Sequence, residues 1–517
     1  MPTLAKPRLL RSFAMTWGSH SDRLSPQSPH RISRWRGEAG GLRRMMDTTG
    51  TDNPLSYSSF VTQSNAVLES LSARLSHAVE QHGVPGAQVA VLKDGRIWEA
   101  AAGKVSLATG VDTTVDSVFQ IGSITKVWTA TLVMQLADDG LIDLDDKLVT
   151  HLPGFALADA EAAASITIRQ MLSHTAGFDG DIFTDTGRGE DAIEKYVSTL
   201  VNAAQVFTPG EMFSYNNTAF AVLAHLIEKL RGAPFAQVLV ERIANPLGLE
   251  HVCPSADEAI LRRAAVGHSP GSDGLVPTTI WALPRSNQGA GSMLSMTARD
   301  LVGFAQLHIA GGLAPDGTRV LSEKSVAAMQ TPQVAVPPLR SMGDSWGLGW
   351  DLTHIGDTLV VHHTGGTIGQ AAFLCVIPGQ KLALAALTNG GGFFGIYQDI
   401  VVGLVKELAG VDLPPRYTPP PTPAPIDLAY ISGTYSDASF DLTVREEDGT
   451  IWLDRVPKGI EAELGEQPST AELVPLAADL LVGKEPAGGV YPVYAFVGDQ
   501  ASKATHIHYG RAVRRAD

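Results

Sequence analysis

Cysteine is nearly absent: the 517 residues hold two, Cys253 and Cys375, far apart and without metal-ligand spacing. They build no disulfide framework, and such usage fits a reducing, cytoplasmic compartment. No apolar run approaches the roughly 20 residues that cross a bilayer. Positive charge is also in deficit: 39 Lys and Arg against 54 Asp and Glu leave a net charge of −15. A chain so acidic is not expected to bind nucleic acid. The histidine pairs at 362/363 and 506/508 have no carboxylate cluster or H-E-x-x-H arrangement beside them, so neither a metal nor any other cofactor is expected.

What is present is an ordinary globular composition, 44% hydrophobic and 18% charged, in a chain long enough for several domains. Charge is unevenly spread. Residues 1–46 carry nine Lys/Arg and two Asp/Glu, net +7, which leaves −15 − 7 = −22 for the remainder. This Ser-, Pro- and Arg-rich head has no apolar periodicity and lacks the apolar core of a secretory signal. Its composition is that of a transit peptide, or of sequence upstream of a true start at Met45 or Met46. Residues 1–60 are read as a disordered basic extension, 61–411 as the main domain, 412–425 as a Pro-rich semi-rigid linker, and 426–517 as a small domain. In that last region short alternating runs such as Phe440–Val444 and Tyr491–Phe496 predict an antiparallel barrel.

The stretch Phe119-Gln-Ile-Gly-Ser-Ile-Thr-Lys126 organises the main domain. The apolar run that follows predicts a helix opening near Ser123 and closing at Gly140. Residues at i and i+3 share a helix face, so Lys126 would lie beside the Ser123 hydroxyl. A buried lysine loses its proton readily and, once neutral, can take one from a serine. The plainer reading is an ordinary Ser and Lys on an amphipathic helix, because S-x-x-K recurs by chance.

Two further stretches bear on that choice. Pro209-Gly-Glu-Met-Phe-Ser-Tyr215-Asn-Asn217 is a loop at the start of an apolar helix over Ala219–Leu230. Tyr215 there suits proton shuttling once a nearby lysine lowers its pKa, and the Asn217 amide can hold a substrate carbonyl; alone, the pattern is only a capped helix start. Further on, short strands from Trp350 to Leu387 predict an antiparallel meander with His362-His363-Thr364-Gly365-Gly366 on its edge. Glycines at such a place let backbone approach a bound substrate. A rival nucleophile, Gly267-His-Ser269-Pro-Gly271, fails: the elbow it imitates needs an N–H after the serine, and Pro270 has none.

Ser123-Ile-Thr-Lys126, Tyr215-Asn-Asn217 and His363-Thr-Gly365 occur in the order and spacing of the penicillin-recognising serine hydrolases. Over roughly residues 65–405 the chain resembles the class C β-lactamase-like branch, with supporting stretches at Leu172–Gly177, Pro209–Tyr215, Ser295–Leu301 and Trp346–Trp350. The resemblance implies an α/β (α+β) fold: an antiparallel sheet flanked by helices, an all-helical lobe, then a lipocalin-like barrel. It implies Ser123, Lys126, Tyr215 and His363 as catalytic residues. Asn217, Thr364, Gly365 and Gly366 would contact substrate, and the backbone N–H groups of Ser123 and Gly366 would form the oxyanion hole.

The departure is His363, where true class C enzymes carry lysine. That change is similar to D-aminopeptidases, D-stereospecific peptidases and family VIII-type esterases, and the barrel is similar to the peptidase members. A neutral imidazole acting as donor would hold carboxylate-bearing drugs less well than an ammonium. Small amides, short peptides or esters are therefore expected as substrates. A β-lactamase, or a catalytically silent penicillin-binding-like scaffold, are the alternatives, and self-association through the barrel is left open. The basic head is expected to be dispensable. A chain starting at Met46 should keep both melting temperature and hydrolytic activity, and a large loss of either would show the head to be structural.

Overall fold

The computed structural model describes residues 66–458, 462, 466–499 and 501–516. The basic head and the expected onset of order near Phe60 lie outside the described residues. Helix α1 (Leu71–Gln81) leads into β1 (Gly86–Lys93), which turns back into β2 (Arg96–Gly103). Asp94 and Gly95 both take positive φ, 50° and 81°, as a two-residue hairpin turn requires.

After a 3₁₀ turn over Gly122–Ile124 comes helix α2 (Thr125–Asp138), buried on nearly every side. Its Trp128 stacks on Phe304 with ring centroids 4.1 Å apart. The expected helix is thus present, with its first turn wound tighter. Helix α3 (Asn217–Arg231) forms the core of a helical lobe, and α4 (Ala298–Ile309) returns to the sheet behind a Thr297 cap.

The predicted meander is β5 (Asp351–Ile355), β6 (Thr358–Thr367), β7 (Gln370–Ile377) and β8 (Leu382–Thr388), preceded by two short strands not expected from sequence, β3 (Val334–Ala335) and β4 (Ser345–Trp346). It joins the N-terminal hairpin through β8 and β1, giving one eight-stranded antiparallel sheet in the order β2-β1-β8-β7-β6-β5-β4-β3. Side chains alternate between faces. Ala90, Leu92, Leu374, Val376, Ala383 and Ala385 join the core shared with α2 and α4. Val89, Val91, Phe373, Cys375, Leu384 and Ala386 bury against α1 and α5 (Gly403–Ala409).

The expectation that His363 sits on the sheet edge needs correcting. Strand β6 is interior, because β5 flanks it on one side and β7 on the other. However, β5 pairs with it only from Thr358 to His362, whereas β7 pairs as far as Thr367. From His363 onward β6 therefore has a free edge within the sheet. The nucleophile turn fills that gap. A methyl group on Gly122 would sit 2.6 Å from the Gly366 nitrogen, and one on Gly365 would sit 1.8 Å from the Ile121 carbonyl oxygen. Only glycine permits these approaches, and Gly122 also takes φ of +53°.

The C-terminal strands β9 (Gly433–Ser436), β10 (Phe440–Glu447), β11 (Thr450–Pro457), β12 (Ser469–Ala477), β13 (Leu480–Gly483), β14 (Val493–Val497), β15 (His506–His508) and β16 (Ala512–Arg515) close a barrel. This barrel docks on the loop that carries Tyr215. The Tyr215 N–H donates to the Gly510 carbonyl at 3.0 Å. The Ala512 N–H donates to Ser214 Oγ at 3.1 Å, and His508 Nε2 donates to the Phe213 carbonyl at 2.8 Å. His508 has no choice of tautomer, since its Nδ1 accepts from the Gly510 N–H. The linker is held too: Arg340 donates to the Pro415 carbonyl and lies 4.2 Å over the Tyr417 ring. The histidines at 506 and 508, considered above as metal ligands, are therefore docking contacts. Among the described residues no group of His, Cys, Asp or Glu could hold a metal.

Asn216 ties the Tyr215 loop to α3. Its Oδ1 accepts from the Ala219 N–H at 2.7 Å, and its Nδ2 donates to the Phe178 carbonyl at 2.8 Å. Replacing it with alanine removes a helix cap and leaves a buried carbonyl unpaired, which should cost about 1–3 kcal/mol. Urea melts should show Asn216→Ala destabilised by that amount and Asn216→Ser, which keeps the cap, by less.

Candidate active site

The first turn of α2 brings Ser123 and Lys126 together. Lys126 Nζ stands 3.1 Å from Ser123 Oγ and donates to the Ala290 carbonyl at 2.7 Å. That carbonyl is itself fixed, because Thr129, one helical turn on from Thr125, donates to the adjacent Gly289 carbonyl at 2.8 Å. Lys126 is wholly buried and Ser123 is 7% exposed. Removal from water holds the amine well below the usual lysine range, and the Arg511 guanidinium pushes it further down. Asp181 acts in the opposite sense. A neutral amine has a lone pair that can receive a serine proton.

Tyr215 closes over the pair, with Lys126 Nζ 4.9 Å from its ring centroid. Here the sequence expectation of a lysine-lowered phenol is reversed. Burial raises the Tyr215 pKa, and the partial offsets come from Ser123 and then Arg511. The reason is burial, which takes the phenolate out of water and outweighs the polar neighbours. The Tyr215 hydroxyl completes no protein hydrogen bond of normal geometry.

His363 stands on the free stretch of β6, 6.3 Å from Tyr215 between ring centroids. Burial, then the neighbouring Lys126, lowers its pKa to about 3. Its Nδ1 donates to the Thr364 carbonyl at 2.7 Å, which leaves Nε2 as a bare lone pair. His363 therefore offers an acceptor, not the donor expected from sequence. His174 is its complement. The Asn216 N–H donates to His174 Nδ1 at 2.9 Å, so Nε2 carries the hydrogen. This ring lies 4.4 Å from Tyr215, and its residue has a strained φ of 57°. Tyr215 Oη, His174 Nε2, His363 Nε2 and Trp346 Nε1 are all buried without a hydrogen-bond partner. Buried polar atoms seldom stay unpaired. Two donors, an acceptor and a hydroxyl left unpaired in one cluster around Tyr215 are what a bound substrate and its water would satisfy.

The remaining expected residues are close by. Asn217 Nδ2 donates to Asp181 at 2.6 Å, so part of its amide is already engaged. Thr364, Gly365 and Gly366 line β6 opposite the nucleophile turn, as the approaches of Gly122 and Gly365 described above require. Ser269 is remote in role: it lies in an exposed two-stranded hairpin, His268–Gly271 with Gly274–Pro277, and not in a strand-to-helix elbow.

Sequence reasoning missed three contributors. His174 lay within the quoted Leu172–Gly177 stretch, yet its φ and its tautomer have no linear signal. Asp181 follows that stretch by a few residues. Arg511 comes from the barrel, and nothing local distinguishes it from Arg514 or Arg515. Its Nε donates to Asp181 Oδ2 at 2.7 Å, and its guanidinium lies 4.8 Å from the Tyr215 ring centroid.

Residues 71–405 match the Beta-lactamase family. The chain is 43% identical over 360 residues to "Penicillin-binding protein 4" of Amycolatopsis lactamdurans, covering 69% of this chain and 94% of that one. The crystal structure of SurE superposes with a TM-score of 0.71 at 29% identity, covering 88% of this chain and all of that one, and SurE has also been crystallised with D-Leu. A D-stereospecific amidohydrolase from Streptomyces sp. superposes with a TM-score of 0.53 at 25% identity, over 66% of this chain and 99% of that one.

The buried imidazoles generate a pH prediction. His308 and His363 fall to about 3, and His362 and His508 to about 4, in each case through burial. Unfolded, the same groups protonate near 6.5. The unfolded chain thus binds more protons below that pH, and stability should fall as pH drops from 6.5 towards 4. Asp179, raised by burial to about 6, works against this over part of the same range. Thermal melts should lose midpoint over that interval, and ¹⁵N-histidine NMR should show His363 neutral with Nδ1 protonated at pH 5.

Proposed function

Because the chain belongs to the Beta-lactamase family, we propose that it is a serine hydrolase that acts on small amides or esters, those built on a D-residue foremost, through a covalent Ser123 ester. The observation that carries this reading is the 3.1 Å approach of a buried, deprotonation-prone Lys126 to Ser123 Oγ. Lys126 takes the serine proton as Oγ attacks the substrate carbonyl. The N–H groups of Ser123 and Gly366 receive the oxyanion; the fixed approach of the Gly122 turn to Gly366 supports that pairing. Tyr215, whose hydroxyl has no protein partner, relays the proton to the leaving group and then orients water for deacylation. Asn217, Thr364, Gly365 and Gly366 hold the substrate backbone.

His363 bears on substrate class. Its free Nε2 accepts hydrogen bonds and carries no charge at neutral pH, so it suits a substrate N–H and gives a carboxylate nothing. This favours peptides and amides over β-lactam drugs. The D-configuration is supported by SurE, crystallised with D-Leu, and by the amidohydrolase described as D-stereospecific. The β-lactamase reading draws on the family and on the penicillin-binding relative. A silent scaffold is disfavoured because the chain keeps both Lys126 and Tyr215, with Lys126 against Ser123 Oγ.

Mass spectrometry after a fluorophosphonate probe should place the adduct on Ser123; an adduct elsewhere defeats the assignment. Ser123→Ala should abolish turnover, and Lys126→Ala should lower it by several orders of magnitude. In a panel of nitrocefin, p-nitrophenyl esters and D-alanyl p-nitroanilide, nitrocefin should give the lowest kcat/KM. His363→Lys should raise nitrocefin turnover and depress the other two, each by about tenfold, roughly 1.4 kcal/mol. Nitrocefin far ahead in the wild type would make the protein a β-lactamase.

A further inference from the structure

The Ser–Lys–Tyr set of the main domain is flanked by a charge that the main domain does not own. Arg511 lies between the last two barrel strands, 330 residues from its ion-pair partner Asp181. It is nearly buried, with 13% of its side chain exposed, and Asp181 is little more exposed at 17%. Two hydrogen bonds, Nε to Oδ2 at 2.7 Å and Nη2 to Oδ1 at 3.2 Å, fix the plane of the guanidinium. Asn217 Nδ2 shares the same carboxylate. Backbone contacts on either side lock the position: the Tyr215 N–H donates to Gly510, and the Ala512 N–H to Ser214 Oγ. An arginine tied this firmly beside the Tyr215 ring has little freedom to be a surface ornament.

We propose that the barrel completes the active site by supplying Arg511, a fixed cation that positions the proton among Ser123, Lys126 and Tyr215. This rests on the Ser–Lys–Tyr reading above. Arginine cannot give up its proton in a protein, whereas lysine can. Where two cations face each other across a dry site, the lysine is the one that yields. The groups facing Lys126 are Ser123 on its own helix, Tyr215 and Asp181 from the helical lobe, His174 and His363, and Arg511 from the barrel. Both histidines are held neutral, so only Arg511 and Asp181 bear charge. Arg511 acts on Lys126 more strongly than Asp181 does, and in the opposite direction. The same guanidinium favours negative charge on Tyr215 while it relays a proton. Arg511 is thus a positioning residue: it acts through Lys126 and Tyr215.

A merely structural latch would also lose activity when Arg511 is replaced, so the test is a pH profile. The rate of fluorophosphonate labelling of Ser123 needs no knowledge of the natural substrate, and its acid limb reports deprotonation of the Lys126 set. In the full-length protein, Arg511→Gln should move that limb upward by about one pH unit. The result is a tenfold loss on the acid side, regained on the alkaline plateau. Arg511→Lys, which keeps the charge, should leave the limb near its wild-type position. Asp181→Asn/Arg511→Gln, which leaves no uncompensated buried charge, should give a smaller upward move. It also serves as the test variant if Arg511→Gln does not fold. Loss at every pH with an unmoved limb, or an equal move in Arg511→Lys, overturns the proposal. If the wild type does not label at Ser123 at any pH, the hydrolase reading itself has failed.

Discussion

The amine of Lys126 has been taken out of water and set between a hydroxyl and a carbonyl, and much of the architecture serves to keep it there. Burying an ammonium costs several kcal/mol even after relaxation, so the group sheds its proton instead. That outcome needs α2 covered on all sides. The helical lobe, α4 and the sheet supply the cover, and the stack of Trp128 on Phe304 closes one flank. It also needs an acceptor for the remaining N–H groups. The Ala290 carbonyl provides one, held by a loop that Thr129 clamps from the helix itself.

Once the base is neutral, the rest of the site has to supply polarity without a competing charge. His174 and His363 do so as complementary neutral imidazoles, one presenting N–H and the other a lone pair, each tautomer fixed by a backbone partner. Arg511 and Asp181 are paired at the margin, with Arg511 the stronger of the two at Lys126. Under the proposed reading such an arrangement selects against substrates that need a full countercharge. It also makes the barrel part of the site, which no inspection of the main domain alone would suggest.

Much of this was legible in the sequence where the relevant relation is local. The i, i+3 spacing placed Lys126 beside Ser123, the loop before α3 placed Tyr215, and alternation gave the meander and the barrel strands. What stayed hidden depends on contacts between distant segments. The pairing of β1 with β8, Val89 opposite Ala386, has no trace in either strand. The free stretch of β6 on which His363 stands exists because β5 pairs with β6 no further than His362, a matter of register and not of composition. The Tyr215 pKa moves opposite to expectation because burial, a global property, outweighs its polar neighbours. Arg511 was invisible because an arginine in a barrel loop reads as solvent-facing until the barrel is docked.

The account stands or falls on the protonation state of one side chain. With ¹³C-lysine incorporated and Lys126 assigned through Lys126→Arg, the Cε shift can be followed from pH 5 to 11. The account predicts that the Lys126 amine loses its proton well below the usual lysine range. A Lys126 signal that stays in the ammonium position until pH 9 or beyond would contradict it, because a charged lysine cannot be the base that activates Ser123.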